Sequence, residues 1–331
     1  MTENNLVVPK SNKQAEKNHP GFWMNLVRRM VLEKPLGTFG LAIVLILFIT
    51  GIFANFIAPF SINLIHLGDR LAPPSTTYLL GTDQLGRDEL SWVIYGARIS
   101  MIIGLAATAI SESIAILIGV TCGYIGGKLD LIVQRFVDAW MSIPMFLLIL
   151  TVMSIVGNGM FQVIMIIGIA AGISHSRVIR SAVVSMKSNT YVQASEAIGS
   201  GSLRTMMRHI LPNIMSVIIV SFTISVGAAI MQEASLSFLG FGVPPGVPSW
   251  GSMLSFGGKQ YMQADPLLAF WPGAFLAIAI YGINMFGDSL RDLLDPRLKG
   301  GIGRYNLKGS SLKRIKERLE HQTRVKSAKL E

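Results

Sequence analysis

Residues 36–59 contain no Asp, Glu, Lys or Arg, and further apolar runs of similar length recur down the chain. A helix crosses about 30 Å of hydrocarbon with roughly 20 apolar residues. In lipid it also satisfies its own backbone polar groups. Such runs fall at 36–59, 99–124, 136–156, 160–173, 210–231 and 267–286, which predicts six membrane-spanning helices. Glu112 interrupts the second run, Pro144 lies inside the third, and the fourth is expected to continue as helix to Val184. The first run begins 35 residues into the chain and lacks a small-residue cleavage site, so it is expected to stay as a membrane helix. Composition agrees. Apolar residues make up 51% and charged residues 15%, against about a quarter charged in soluble domains. A soluble globular protein and a disordered chain are both excluded.

Six spans put both termini on one side, and basic residues choose the side. Six Lys/Arg precede Leu36, two lie between the second and third spans, five between the fourth and fifth, and twelve follow Asp288. Only Arg70, Arg87, Arg98 and Lys259 fall on the other side. The first side is therefore expected to be cytoplasmic. This topology accounts for the net charge of +10 without nucleic acid, and no basic motif interleaved with aromatics argues otherwise.

Catalytic signatures are absent. Gly127-Lys128 and Gly258-Lys259 lack the earlier glycine and the following Ser or Thr of a phosphate loop. There is no H-E-x-x-H pair and no G-x-S-x-G elbow. The histidines at 19, 66, 175, 209 and 321 have no ligand spacing, and Cys122 is the single cysteine. No catalysis, cofactor or metal is expected on this chain. Inside the spans only Glu112 is expected to lie deep, where a proton relay needs several such groups. It reads either as an interior group bonded to Thr108, Ser111 or Ser113, or as a pathway residue. Gly119-xxx-Gly123 and Gly168-xxx-Gly172 are expected to pack helices within the chain rather than between subunits.

Residues 188–213 read SNTYVQASEAIGSGSLRTMMRHILPN. A short helix, a glycine break and a second helix entering the fifth span are expected. Tyr191, Ala194 and Ile198 share one helical face, suited to a partner. Gly199 and Gly201 suit a C-cap and a tight turn, and Pro212 a helix entry.

This segment resembles the cytoplasmic "EAA" loop of ABC importer permeases through Ala194, Ala197, Gly199 and Ile210-Leu211-Pro212. Three further stretches resemble the C-type permeases of dipeptide, oligopeptide and nickel importers. The first is Gly81-Thr82-Asp83-Gln84-Leu85-Gly86-Arg87-Asp88 with Tyr95-Gly96-Ala97-Arg98. The second is Glu233-Ala234-Ser235-Leu236-Ser237-Phe238-Leu239-Gly240 with Pro248-Ser249-Trp250-Gly251. The third is Gly287-Asp288 with Leu294-Asp295-Pro296-Arg297-Leu298. Departures exist: Gln193 replaces the family's leading Glu, Ser195 its second Ala, and His209 the Ile before Leu-Pro. Glu196 stands where close relatives carry a base.

The resemblance implies an all-α membrane protein of the type I ABC importer permease fold, with a coupling helix between helices 4 and 5. It implies that Tyr191, Ala194, Ser195, Glu196, Ala197, Gly199, Leu211 and Pro212 couple to an ATPase. It implies a homologous second permease, two ATPase subunits carrying ATP and Mg, and an extracytoplasmic solute-binding protein. Di- or oligopeptides are the implied cargo, with nickel complexes, glutathione or another small solute as alternatives. A stand-alone secondary carrier would need several buried ionisable groups. Residues 233–251 read as an external gate or a plain connecting loop, with Glu233, Ser235 and Ser237 as candidates beside Glu112. Residues 81–88 read as a cap on the outer helix ends.

The expected layout is a cytoplasmic tail with an amphipathic interfacial helix at 1–35, a first span at 36–59, and an external loop at 60–98. A permease core follows at 99–298, with its coupling loop at 188–209, and a basic cytoplasmic tail at 299–331. Phe22, Leu26 and Met30 mark the apolar face of the interfacial helix, and residues 1–20 read as disordered. Leu312, Ile315 and Leu319 share a face in the last tail, which reads as solvated or lipid-touching.

Overall fold

The computed structural model describes residues 22–294. The expectations for residues 1–20, for Asp295-Pro296-Arg297-Leu298 and for the last tail lie outside the described residues. Among the described residues all regular structure is helical, apart from an isolated bridge between Thr82 and Asp88. The helices are α1 (Phe22–Glu33), α2 (Pro35–Ile52), α3 (Ala54–Ile57), α4 (Glu89–Ile125), α5 (Gly127–Met141) and α6 (Met145–Val156). They continue as α7 (Met160–Lys187), α8 (Thr190–Ala197), α9 (Ser202–Thr205), α10 (Met215–Phe238), α11 (Trp250–Met253) and α12 (Leu267–Leu294). Five helices are long and apolar enough to cross a membrane: Pro35–Ile52, Glu89–Ile125, Met160–Lys187, Ser202–Phe238 and Leu267–Leu294. The pair α5 and α6 makes a sixth if counted as one bent span.

Local chemistry sets the ends. Pro35 opens α2, where its missing N–H costs nothing. Asp88 caps α4 by accepting from the Ser91 amide and hydroxyl at 2.8 and 2.6 Å. Gly126, at φ +70°, ends it. Ser249 and Ser252 form a reciprocal capping pair at the start of α11.

Three boundaries depart from the hydropathy reading. The third span is not continuous but turns through 81° between α5 and α6. Pro144 supplies no donor and disfavours helix at Ile143, so the chain breaks at 142–144 rather than running through. Helix α4 begins at Glu89 rather than at Ile99, and its 37 residues span about 55 Å. Helix α10 runs to Phe238, past the predicted end at Met231.

Helix α4 is the axis of the bundle. It packs along α7 through small residues placed alternately on the two helices. A Cβ on Gly119 would lie 2.7 Å from the Ser176 carbonyl, and one on Gly172 would lie 2.7 Å from the Ser111 carbonyl. The two small-residue pairs thus serve packing within the chain. Ile103, Ile149, Met153, Ile167 and Leu236 form a core shared by α4, α6, α7 and α10. Asp130 of α5 and Arg180 of α7 form a two-pronged ion pair, at 2.6 and 2.5 Å, that fixes α5 to α7.

Candidate functional site

Helix α8 sits at the end of the bundle where α4 stops and α7 turns. Val192 is fully buried, in a cluster with Val120, Ile179, Val183, Ile210 and Ile214. That anchor is worth about 1.5–3 kcal/mol, and it fixes which face of a two-turn helix points outward. Tyr191, Gln193, Ala194, Glu196 and Ala197 are exposed, and Ile198 is 86% exposed. The predicted face of Tyr191, Ala194 and Ile198 is therefore the free face. Ser195 turns the other way and is buried, so its side chain is not on that face.

The break after α8 takes the predicted form. Gly199 has φ +83°, and no neighbour lies within 4 Å of a Cβ placed there. The Gly199 amide donates to the Glu196 carbonyl at 2.9 Å, and the Ser200 amide to the Ser195 carbonyl at 3.1 Å. After α9 the chain widens through a π turn, Met206–Ile210, and then tightens through a 3-10 turn, Leu211–Ile214, before α10. Leu211 is half-buried and Pro212 exposed. Leu203 is 70% exposed and Met207 57% exposed, four positions apart, and they extend the apolar surface. The sequence reading passed over this pair, although its spacing was the available signal.

The pathway candidates fall into two separate clusters. Glu112 of α4 is buried, and its Oε1 accepts from the Ser221 hydroxyl of α10 at 2.7 Å. His175 Nδ1 of α7 stands 3.9 Å from the same oxygen. The expected local partners do not serve it: the Ser113 hydroxyl donates to the Ala109 carbonyl, and Ser111 stands 3.5 Å from His175. Thr108 Oγ1 has no partner among the described residues. Glutamine at Glu112 keeps an acceptor for Ser221, so Glu112→Gln is expected to change thermal stability by less than about 1 kcal/mol. A melting scan in detergent checks it.

Glu233 was expected in an external loop, but it is a fully buried residue of α10. Its Oε1 accepts from the Ser237 and Ser249 hydroxyls at 2.7 and 2.8 Å, and Ser100 Oγ lies 3.5 Å from Oε2. It thereby ties α4, α10 and the turn before α11 together. Glu89 and Glu233 are buried within the protein as fully as Glu112. Ser237 belongs to the Glu233 cluster. Ser235 does not: it is half-buried, and its hydroxyl donates to the Met231 carbonyl at 2.8 Å. Glu233→Ala strands its serine donors and opens a void, so a loss of about 1–3 kcal/mol is expected in the same scan.

Comparison with known proteins bears on both regions. Residues 115–300 match the family described as "Binding-protein-dependent transport system inner membrane component". Residues 21–74 match "N-terminal TM domain of oligopeptide transport permease C". The chain is 35% identical over 287 residues to the oligopeptide transport system permease protein OppC of Bacillus subtilis, covering 87% of this chain and 93% of that one. It is 38% identical over 266 residues to the dipeptide transport system permease protein DppC of Haemophilus influenzae, covering 78% and 90%. It is 34% identical over 279 residues to the glutathione transport system permease protein GsiD of Pectobacterium atrosepticum, covering 84% and 91%. In fold it is similar to a chain of the MetNI methionine ABC transporter, with TM-score 0.51, 18% identity, and coverage of 62% of this chain and 96% of that one. An all-helical bundle with a two-faced short helix at one end, matched to one family over more than half its length and to these permeases over most of theirs, is an inner-membrane permease component of the binding-protein-dependent transport family.

Proposed function

We propose that this permease forms half of a translocation pathway for di- or oligopeptides, driven by ATPases on separate chains. The observation that carries the reading is the free face of α8. A helix that holds an isoleucine almost fully in solvent, while Val192 pins it from behind, suits a groove on a partner. We assign that groove to an ATP-binding cassette ATPase, with ATP and Mg held there. A homologous second permease completes the pathway, and an extracytoplasmic binding protein delivers the cargo. The basic residues on and around α7 and α9 support a cytoplasmic α8 and cytoplasmic termini. In that arrangement, ATP-driven closure of the ATPases pushes α8 and tilts the bundle between two accessible states. Peptides are favoured as cargo by the names of the OppC and DppC relatives. The GsiD relative supports glutathione, itself a small peptide, as the second reading.

The test is purification of the tagged chain from gently solubilised membranes, followed by reconstitution. Co-purification of a second permease and two ATPases, and ATP-dependent peptide uptake, are expected. A chain that purifies alone and moves solute without ATP would sink the reading. Within that assay, Gly199→Asp is expected to lower uptake several-fold with normal membrane insertion. The strain of a side chain at φ +83° costs only about 1 kcal/mol, while the added charge faces the partner.

A further inference from the structure

The stretch from Gly81 to Asp88 has no role in the coupling scheme, yet it is tightly built. Asp83 Oδ1 accepts from the Leu85 and Arg87 amides at 2.8 and 2.9 Å, and Oδ2 from Arg87 Nε at 2.5 Å. The Arg87 guanidinium lies 3.5 Å over the Trp92 ring. A side chain at Gly86, where φ is +73°, would collide with the His66 carbonyl. The stretch is a knot tied around the start of α4.

Behind this knot lies a cavity of about 320 Å³, between the α4 start and the turns flanking α11. Its walls are mostly apolar, including Leu85, Val247, Phe256 and Leu268. Its polar lining is Asp83, Gln84, Arg87, Glu89, Trp92 and Ser252. Glu89 is 3% exposed, yet its Oε1 has no partner among the described residues. Gln84 Oε1 and Trp92 Nε1 are buried and unpartnered in the same way. Buried polar atoms of native proteins nearly always find partners, so two acceptors and one donor in a single cavity point to a ligand.

The electrostatics select its charge. Asp83, Asp88 and Asp265 all act on Glu89, with Arg87 offsetting them. Each of those acids is already engaged, Asp88 at the Ser91 cap and Asp265 at the Leu267 amide. Arg87 is engaged too, by Asp83 and Trp92. Three acids against one base leave the surroundings of Glu89 net negative, which favours a cationic ligand over an anionic one. A primary ammonium has three donors and no acceptor, which suits Glu89 and Gln84. The Trp92 N–H then asks for an acceptor on the same ligand. An ammonium beside a carbonyl is the N-terminus of a peptide, and apolar walls with few fixed polar groups are what small-ligand sites have.

We propose that this cavity binds the free N-terminus of a peptide, with Glu89 and Gln84 accepting from the ammonium and Trp92 donating to the first carbonyl. The inference deepens the peptide-import reading and rests on it. It gives this chain its own contact with cargo, at the bundle end opposite α8.

The test uses the full chain in lipid nanodiscs, labelled with 5-fluorotryptophan, with the Trp92 resonance assigned through Trp92→Phe. Titration with dialanine is expected to shift that resonance saturably, and N-acetyl-dialanine is expected to bind at least tenfold more weakly. Glu89→Gln and Gln84→Leu are each expected to weaken dialanine at least tenfold. The remaining tryptophan resonances must keep their positions, which certifies that both variants fold. A flat titration of the unaltered chain, equal binding of the acetylated probe, or unaltered affinity in both variants would overturn the proposal. The titration needs neither ATPase nor binding protein. A flat titration with intact ATP-driven uptake therefore sinks the cavity alone, and loss of ATP dependence in the uptake assay sinks the importer reading.

Discussion

Replacing Ile198 by aspartate is expected to lower ATP-driven peptide uptake at least tenfold while leaving the amount of folded protein unchanged. Ile198 is 86% exposed, so its own chain gains nothing from it. Burying an isoleucine in a partner groove is worth about 1.5–3 kcal/mol. An unpaired carboxylate in the same groove adds a desolvation cost. Each 1.4 kcal/mol is a factor of ten, so a loss of ten- to a hundredfold in ATPase affinity follows. Val192→Asp is the contrasting variant, because Val192 is fully buried. It should lower folded yield, as a buried charge does. Co-purification of the ATPases, measured beside folded yield, separates the two. Wild-type ATPase recovery with Ile198→Asp would remove α8 from the docking surface.

The second large effect is expected along the α4–α7 seam. Gly172→Leu should cost about 3 kcal/mol or more and shift unfolding in sodium dodecyl sulfate to lower detergent. Even a Cβ there would lie 2.7 Å from the Ser111 carbonyl and 2.8 Å from Ile114 Cβ. Neither backbone atom nor β-branched stem can turn aside, so the helices must part, and overpacking of this kind costs 1–3 kcal/mol or more. Gly119→Leu should behave alike, from the other helix. Gly201→Ala is the control: its surroundings are open and its φ is −64°, so a change within about 0.5 kcal/mol is expected. An unfolding curve for Gly172→Leu that overlies the unaltered chain's would show that the seam yields.

Hydropathy located the spans because lipid demands a long apolar run wherever a helix crosses. The helix, break and helix at 190–205 were legible from Gly199 and Gly201, which answer to local backbone chemistry. The features that escaped depend on residues far apart in the chain. Glu233 reads as an external-loop residue just past a span, because the serine that neutralises its position from outside the helix is Ser249, and Ser100 stands beside it from α4. Glu112 offers several nearby hydroxyls in sequence, yet its partner Ser221 comes from another helix. Pro144 lies within an apolar run, and the run's hydropathy carries no record of direction, so the 81° turn is invisible to it. The cavity at Glu89 needs three segments to close it, and none of them signals it alone.

The glycine contacts between α4 and α7 have a mechanical consequence. Two rods whose backbones interlock at four points cannot slide past each other, so the pair behaves as a single stiff beam. Between α5 and α6 the chain has no such interlock, only three residues at a sharp corner. Bending at that corner therefore costs less than bending along the interlocked pair.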